Sequence, residues 1–135
     1  MKDLSREIFN NPIKKSQYRS AVRSKQKYLR RFGDDSKLNY PVAVKKNPIL
    51  GDRLGICDIK LDTNEESLGF DEKKGIIVGN IRMGFGHYRI SMAMASAANS
   101  MGYVPYWLDL NSFPETTCTK VISAQNDLYS LGSRS

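Results

Sequence analysis

The sequence predicts an α/β fold built on parallel strands, and three observations carry that expectation. A β-branched apolar run, Gly75-Ile-Ile-Val-Gly-Asn-Ile81, stops at a knot of glycines. Next, Tyr88 to Met101 sets Ile90, Met94, Ala97 and Met101 at helical spacing among alanines. A second apolar run, Tyr103 to Leu110, follows directly after Gly102, a residue suited to stopping a helix. Strand, helix and strand in that order make a βαβ unit over residues 75–110. Such a unit joins parallel neighbours through a right-handed crossover.

Taken from the start, the first element is a basic amphipathic helix over about Pro12 to Phe32. Asn11 reads as its N-cap and Pro12 as its first residue, where the missing N–H costs nothing. Tyr18, Ala21, Val22, Lys25, Leu29 and Phe32 follow one face, and Lys14, Lys15, Arg19, Arg23, Lys27, Arg30 and Arg31 occupy the others. Gly33 fits the position just past a helix end.

Residues 33–52, interrupted by Pro41 and Pro48, read as an extended connection. Ile56 to Asp62 offers a short strand with Ile59 and Leu61 on one face, and 64–74 reads as a polar, acidic loop. The run at 75–81 has the look of a buried central strand, apolar on both faces. In the strand at 103–110, Pro105 must sit where no ladder hydrogen bond is needed. A last helix is expected from about Thr117 to Leu131. The expected division is a basic amphipathic helical segment at 1–33, an extended connection containing a short strand at 34–74 and the start of a Rossmann-like α/β domain at 75–135.

At 135 residues the chain is the size of one domain, and 40% hydrophobic content places it among globular rather than disordered sequences. No apolar run approaches the roughly 20 residues needed to span a bilayer. The start, with Asp3 and Glu7, lacks the apolar stretch of a secretory signal. Cys57 and Cys118 lie far apart with no Cys/His cluster around them, so reduced cysteines in a cytoplasmic protein are expected, and no metal site. The net charge of +7 is uneven: residues 1–32 hold ten Lys/Arg against two Asp/Glu, a net +8, and the remainder eleven against twelve, a net −1. Basic character therefore belongs to the N-terminal element. A solvated face, an anionic membrane surface and nucleic acid all suit it, nucleic acid least, since no recognised binding motif accompanies it.

Gly84-Phe85-Gly86-His87 lies between strand and helix, where outward backbone N–H groups and the helix dipole favour an anion such as phosphate. Two familiar loops are tested by residue. Gly79 and Gly84 have P-loop spacing, but Phe85-Gly86 fills the Lys-Ser/Thr positions, which excludes that nucleotide chemistry. Gly84 and Gly86 begin a dinucleotide fingerprint whose third glycine is replaced by Arg89. Asp109, near the end of the second strand, stands where a ribose-binding acid belongs, which keeps a nucleotide- or NAD-binding module open as an alternative. His87, directly behind the glycines, is the candidate for accepting a proton, and Arg82 and Arg89 flank it as candidates for meeting an anionic substrate.

The pattern Met83-Gly-Phe-Gly-His-Tyr-Arg89, with Ala95, Ala98 and Gly102 downstream, resembles the N-terminal half of two-domain (GT-B type) nucleotide-sugar glycosyltransferases. The likeness is to the monogalactosyldiacylglycerol synthases and the glucosaminyltransferase of peptidoglycan lipid synthesis, over about residues 75–110. It implies a partial Rossmann-like parallel sheet forming the acceptor-side portion of a glycosyltransferase, incomplete and inactive without a C-terminal domain. On that resemblance His87 is the catalytic loop histidine. Gly84, Phe85, Gly86, Arg82, Arg89 and Asp109 hold the substrate or its diphosphate. A nucleotide sugar or other phosphorylated small molecule serves as substrate rather than cofactor, and the protein works in the cytoplasm, peripheral to a membrane.

Overall fold

A computed structural model of the chain describes residues 4–62, 66–82 and 85–134. Backbone contacts divide the chain into two compact units, Met1–Ser36 and Lys37–Ser135.

The first unit opens with a 3-10 turn (Leu4–Arg6) and a minimal antiparallel hairpin of β1 (Glu7–Ile8) and β2 (Asn11–Pro12). The helix α1 spans Lys15–Phe32, so Asn11-Pro12 does not start it. Instead Asn11 pairs with Ile8 and Pro12 with Glu7, a two-stranded edge that proline tolerates because it owes no ladder N–H. The Ile13 N–H then closes onto the Arg6 carbonyl at 3.0 Å. Helix formation waits until Lys14, whose N–H donates to the Gln17 side chain at 3.1 Å, one half of a capping box. Gly33 ends α1 as expected, at φ +91° with its N–H on the Leu29 carbonyl.

The second unit is α/β. Its four-stranded sheet has the order β3 (Val42–Lys46), β4 (Cys57–Leu61), β6 (Val104–Asp109), β5 (Gly75–Asn80). The β4, β5 and β6 strands run parallel and β3 is antiparallel to β4. A short helix α2 (Gly51–Leu54) links β3 to β4, α3 (Phe85–Ser100) joins β5 to β6, and α4 (Thr117–Arg134) follows, capped by the Thr116 hydroxyl, which accepts from the Thr119 N–H. The βαβ unit at 75–110 is thus present, and α3 takes in Phe85, Gly86 and His87 as its opening residues. It stops at Gly102, φ +84°, with the Tyr103 N–H returning to the Ala98 carbonyl.

Two sequence readings change here. The short strand expected at Ile56 to Asp62 is present as β4, but residues 34–74 are more than a connection around it: they also supply β3 and α2 to the same compact unit. The β3 strand hides behind its lysines, since Lys45 and Lys46 break the apolar pattern although Ala43 and Val44 are buried. Further, the apolar run at 75–80 is not central. It lies at the sheet edge, with Ile77 60% exposed, and β6 takes the centre. Apolar runs mark tolerance of burial on both faces and carry no information about which strands flank them.

Pro105 in the central strand is accommodated by register. The Val104 N–H donates toward β5, to Lys74 O at 2.8 Å, so the position of the missing Pro105 N–H points toward β4. Pairing with β4 starts only one residue later, at Tyr106 opposite Cys57. No ladder bond is lost.

Val104, Tyr106 and Leu108 alternate to one sheet face, where Tyr106 joins Val44, Ile59 and Phe113 in the core. The segment 66–71 is tied down over this core. The Phe70 ring lies 4.8 Å from that of Tyr106, whose hydroxyl accepts from the Asp71 N–H, and the Leu68 N–H reaches the Val44 carbonyl. On the other alternation lie Pro105, Trp107 and Asp109. The α3 helix buries Ser91, Ala95 and Ala98, and the Ser91 hydroxyl donates to Gly79 O at 2.9 Å. Small residues let it approach β5 closely.

Gly75 is held by contact rather than conformation. A Cβ there would lie 2.5 Å from the Asp71 carbonyl oxygen and 2.8 Å from the Tyr106 ring. Because the nearer obstacle is backbone, Gly75→Ala is expected to cost about 1–3 kcal/mol in urea unfolding, read as a lower midpoint at unchanged slope.

Candidate ligand-binding site

Open α/β sheets present ligands with a crevice beyond the carboxyl ends of their strands. Here β5 ends at Asn80 and β6 at Asp109, directly paired. Around them is a cavity of about 550 Å³ lined by Asn47, Leu50, Ile56, Asn80, Arg82, Tyr88, Trp107 and Asp109. That volume is in the range of small-molecule sites.

The polar end is organised by Asp109, a buried residue. Its Oδ2 accepts from Arg82 Nε at 2.7 Å and forms an ion pair with Nη2 at the same distance, and its Oδ1 accepts from the Asn111 N–H at 3.0 Å. Both carboxylate oxygens are therefore engaged. Asp109 fixes the guanidinium, whose side chain remains 63% exposed with further N–H groups to offer. Beside it, Asn80 is only 5% exposed, and its Oδ1 is buried with no hydrogen-bond partner among the described residues. Asn80 lines the cavity, and its buried acceptor costs free energy as long as no donor reaches it.

The apolar wall joins two distant segments. Tyr88, one turn into α3, meets Trp107 of β6 edge-on, with ring centroids 5.9 Å apart. Opposite them, Leu50 and Ile56 are set by an Asx turn in which Asn47 Oδ1 accepts from the Ile49 and Leu50 N–H groups. The Asn47 amide donates to both oxygens of Asp58 at 3.0 and 3.2 Å, and its N–H to the Ile56 carbonyl. Asp58, Asn47, Arg82, Trp107 and Asp109 also line a smaller neighbouring cavity of about 240 Å³.

The residues singled out from the sequence divide. Arg82 and Asp109 come together. His87 is exposed and lines a different cavity of about 360 Å³, beside the β5 edge, with Ile90, Ser91 and Met94. Asn80 forms a wall of both. Arg89 is exposed and lines none of these three cavities. Gly86 is the second residue of α3 and faces open space. Phe85 opens α3, and Gly84 lies outside the described residues. Lys15, Arg19, Arg23, Lys27, Arg30 and Arg31 are exposed along α1 and Lys14 immediately precedes it.

Asn80, Tyr88, Trp107 and the 47–56 segment were not foreseen. Asn80, the polar end of an apolar run, and Trp107, the chain's only tryptophan, were the available signals; the loop at 47–56 gave none.

Both cysteines are free. Burial first, then the Asp58 carboxylate, push the Cys57 thiol above its ordinary range, against the pull of Lys46, which disfavours the nucleophilic thiolate. Among the described residues no group of three or more His, Cys, Asp or Glu is placed to hold a metal ion. No helix among them is long and apolar enough to cross a membrane.

An α/β domain with a polar-ended cavity at its parallel strand ends is the class that the fold and the site define. The chain belongs to the DUF6937 family, described as a domain of unknown function, whose model matches residues 7–135. Searches of curated proteins and of solved structures gave no match.

Proposed function

We propose that this chain is the acceptor-side portion of a glycosyltransferase-like protein, holding a nucleotide sugar or related phosphorylated compound at the ends of β5 and β6. The observation that carries this reading is the unpartnered, buried Asn80 Oδ1 beside an Arg82 guanidinium aimed by Asp109. One asks for a hydroxyl or amide donor, the other for an anion. The Tyr88–Trp107 pair supports a flat base or sugar ring between them and Leu50. In this reading a second α/β domain holds the rest of the donor. His87 serves an acceptor hydroxyl entering from the β5 side.

The alternative, an NAD-type module with Asp109 on the ribose, is disfavoured because Asp109 is buried with its carboxylate turned to Arg82 and the Asn111 N–H. Calorimetric titration with UDP-sugars, UDP and NAD distinguishes them. UDP-sugar binding weakened roughly 10- to 100-fold by Arg82→Ala is expected, the worth of one charge-assisted contact. Tighter binding of NAD moves the assignment to the dinucleotide module, and failure of every ligand removes the transferase reading.

A further inference from the structure

The unit formed by residues 1–36 carries most of the chain's charge: ten Lys/Arg against four Asp/Glu, a net +6 of the total +7. Its main element, α1, has seven basic residues and no acidic one, and none of its residues is buried. At 100° per residue, Lys15, Arg19, Arg23, Lys27 and Arg30 form one stripe, while Tyr18, Ala21, Val22, Leu29 and Phe32 gather on another side with Lys25 among them.

The hairpin ahead of α1 adds an unusual feature. Its two-residue turn places Phe9 at φ +49° and Asn10 at φ +65°. Asparagine tolerates the left-handed region, but a phenylalanine there is strained. The strain brings no burial in return, since Phe9 is 94% exposed and its neighbour Ile8 and nearby Leu4 are exposed as well. Close behind, Arg6, Ile13, Lys15, Tyr18 and Arg19 line a cavity of about 310 Å³, with the Arg6 guanidinium 4.7 Å above the Tyr18 ring. Three cations around a pocket of that size suit a phosphate group.

We propose that residues 4–32 bind the surface of an anionic phospholipid bilayer, with Phe9 and Ile8 entering the interface and Arg6, Lys15 and Arg19 receiving headgroup phosphates. The choice among anionic partners follows from the apolar residues. Nucleic acid satisfies the cations but gives the aliphatic Leu4 and Ile8 no partner. An anionic bilayer meets both demands with one surface, its headgroups for the cations and its acyl boundary for the hairpin tip. This inference is independent of the cavity reading, since it uses no residue of the second unit.

Cosedimentation of the full chain with phosphatidylcholine vesicles, with and without phosphatidylserine, tests it. Binding is expected only to the phosphatidylserine vesicles, and to weaken as salt is raised. Phe9→Ser should reduce the partition coefficient about tenfold while leaving the thermal melt unchanged or slightly raised, because Phe9 touches little and is strained. Lys15→Glu with Arg19→Glu should abolish binding, with circular dichroism verifying the helix. The proposal is overturned by absence of vesicle binding, by equal binding to neutral vesicles, or by full retention in Phe9→Ser. Salt-sensitive capture of an oligonucleotide without vesicle binding overturns it too, in favour of nucleic acid.

Discussion

Asp109→Ala is expected to destabilise the second unit by about 2–3 kcal/mol, a fall in melting temperature of roughly 10–20 °C for a unit of this size. Two losses add. The Asp109 side chain caps the 3-10 turn Leu110–Ser112 through the Asn111 N–H, and such a cap is worth about 1 kcal/mol. It also accepts one charge-assisted bond from Arg82 within an ion pair, whose value is discounted because Arg82 is 63% exposed and regains water when released. Asp109→Asn separates the terms: it retains an acceptor for the Asn111 N–H and loses the charge, so it should recover about half the stability. If the cavity takes an anion, both variants should weaken it, since the guanidinium is no longer held at the strand end. A melt unchanged in Asp109→Ala contradicts this account of the buried carboxylate.

Ile56→Ala should cost about 3 kcal/mol, within the range for truncating a fully buried branched side chain. Ile56 is 1% exposed, follows the left-handed Gly55 and forms part of the cavity wall. The backbone anchor, Asn47 N–H to Ile56 O, survives the change. The loop at 47–50 therefore keeps its Asx turn while the wall behind it recedes. Urea unfolding should show a lowered midpoint. Ile56→Val, expected to lose only about 1 kcal/mol, calibrates the methyl groups against the cavity created.

What the sequence disclosed and what it withheld have separate physical causes. Periodicity and stop residues are local, so α1, the βαβ unit, Gly33, Gly102 and the helix starting at Thr117 were all readable. Strand order is not local. The run Gly75 to Asn80 would satisfy either a central or an edge place, and its edge position depends on β6 pairing with β4. The start of α1 was misread because Asn11-Pro12 is a good helix opening in isolation, yet a hairpin with Glu7-Ile8 competes for it. In the site, Arg82 and Asp109 were visible because strand ends in α/β sheets are marked positions. Asn47, Leu50 and Ile56 come from a segment whose spatial place rests on the β3–β4 pairing, and no spacing in the chain discloses that. His87 drew notice from its neighbours in sequence, but the turn of α3 carries it to the other side of Asn80.

The order of the sheet has a consequence for how the molecule is made. The central strand, β6, is the last of the four to leave the ribosome, and it alone touches both β4 and β5. Until residue 109 exists, the nascent second unit holds one local hairpin, β3 with β4, and a solitary β5 with no ladder partner. The pairing of Cys57 with Tyr106 closes a long loop before it returns any contact energy, so sheet completion is the slow event on purely topological grounds. Because β6 lies between β4 and β5, the sheet is continuous only once β6 has paired with both, and its end brings Asp109 to Arg82. The cavity is lined from both sides of that strand, by Asn47, Leu50 and Ile56 and by Asn80, Arg82 and Tyr88, so it is complete only when the sheet is.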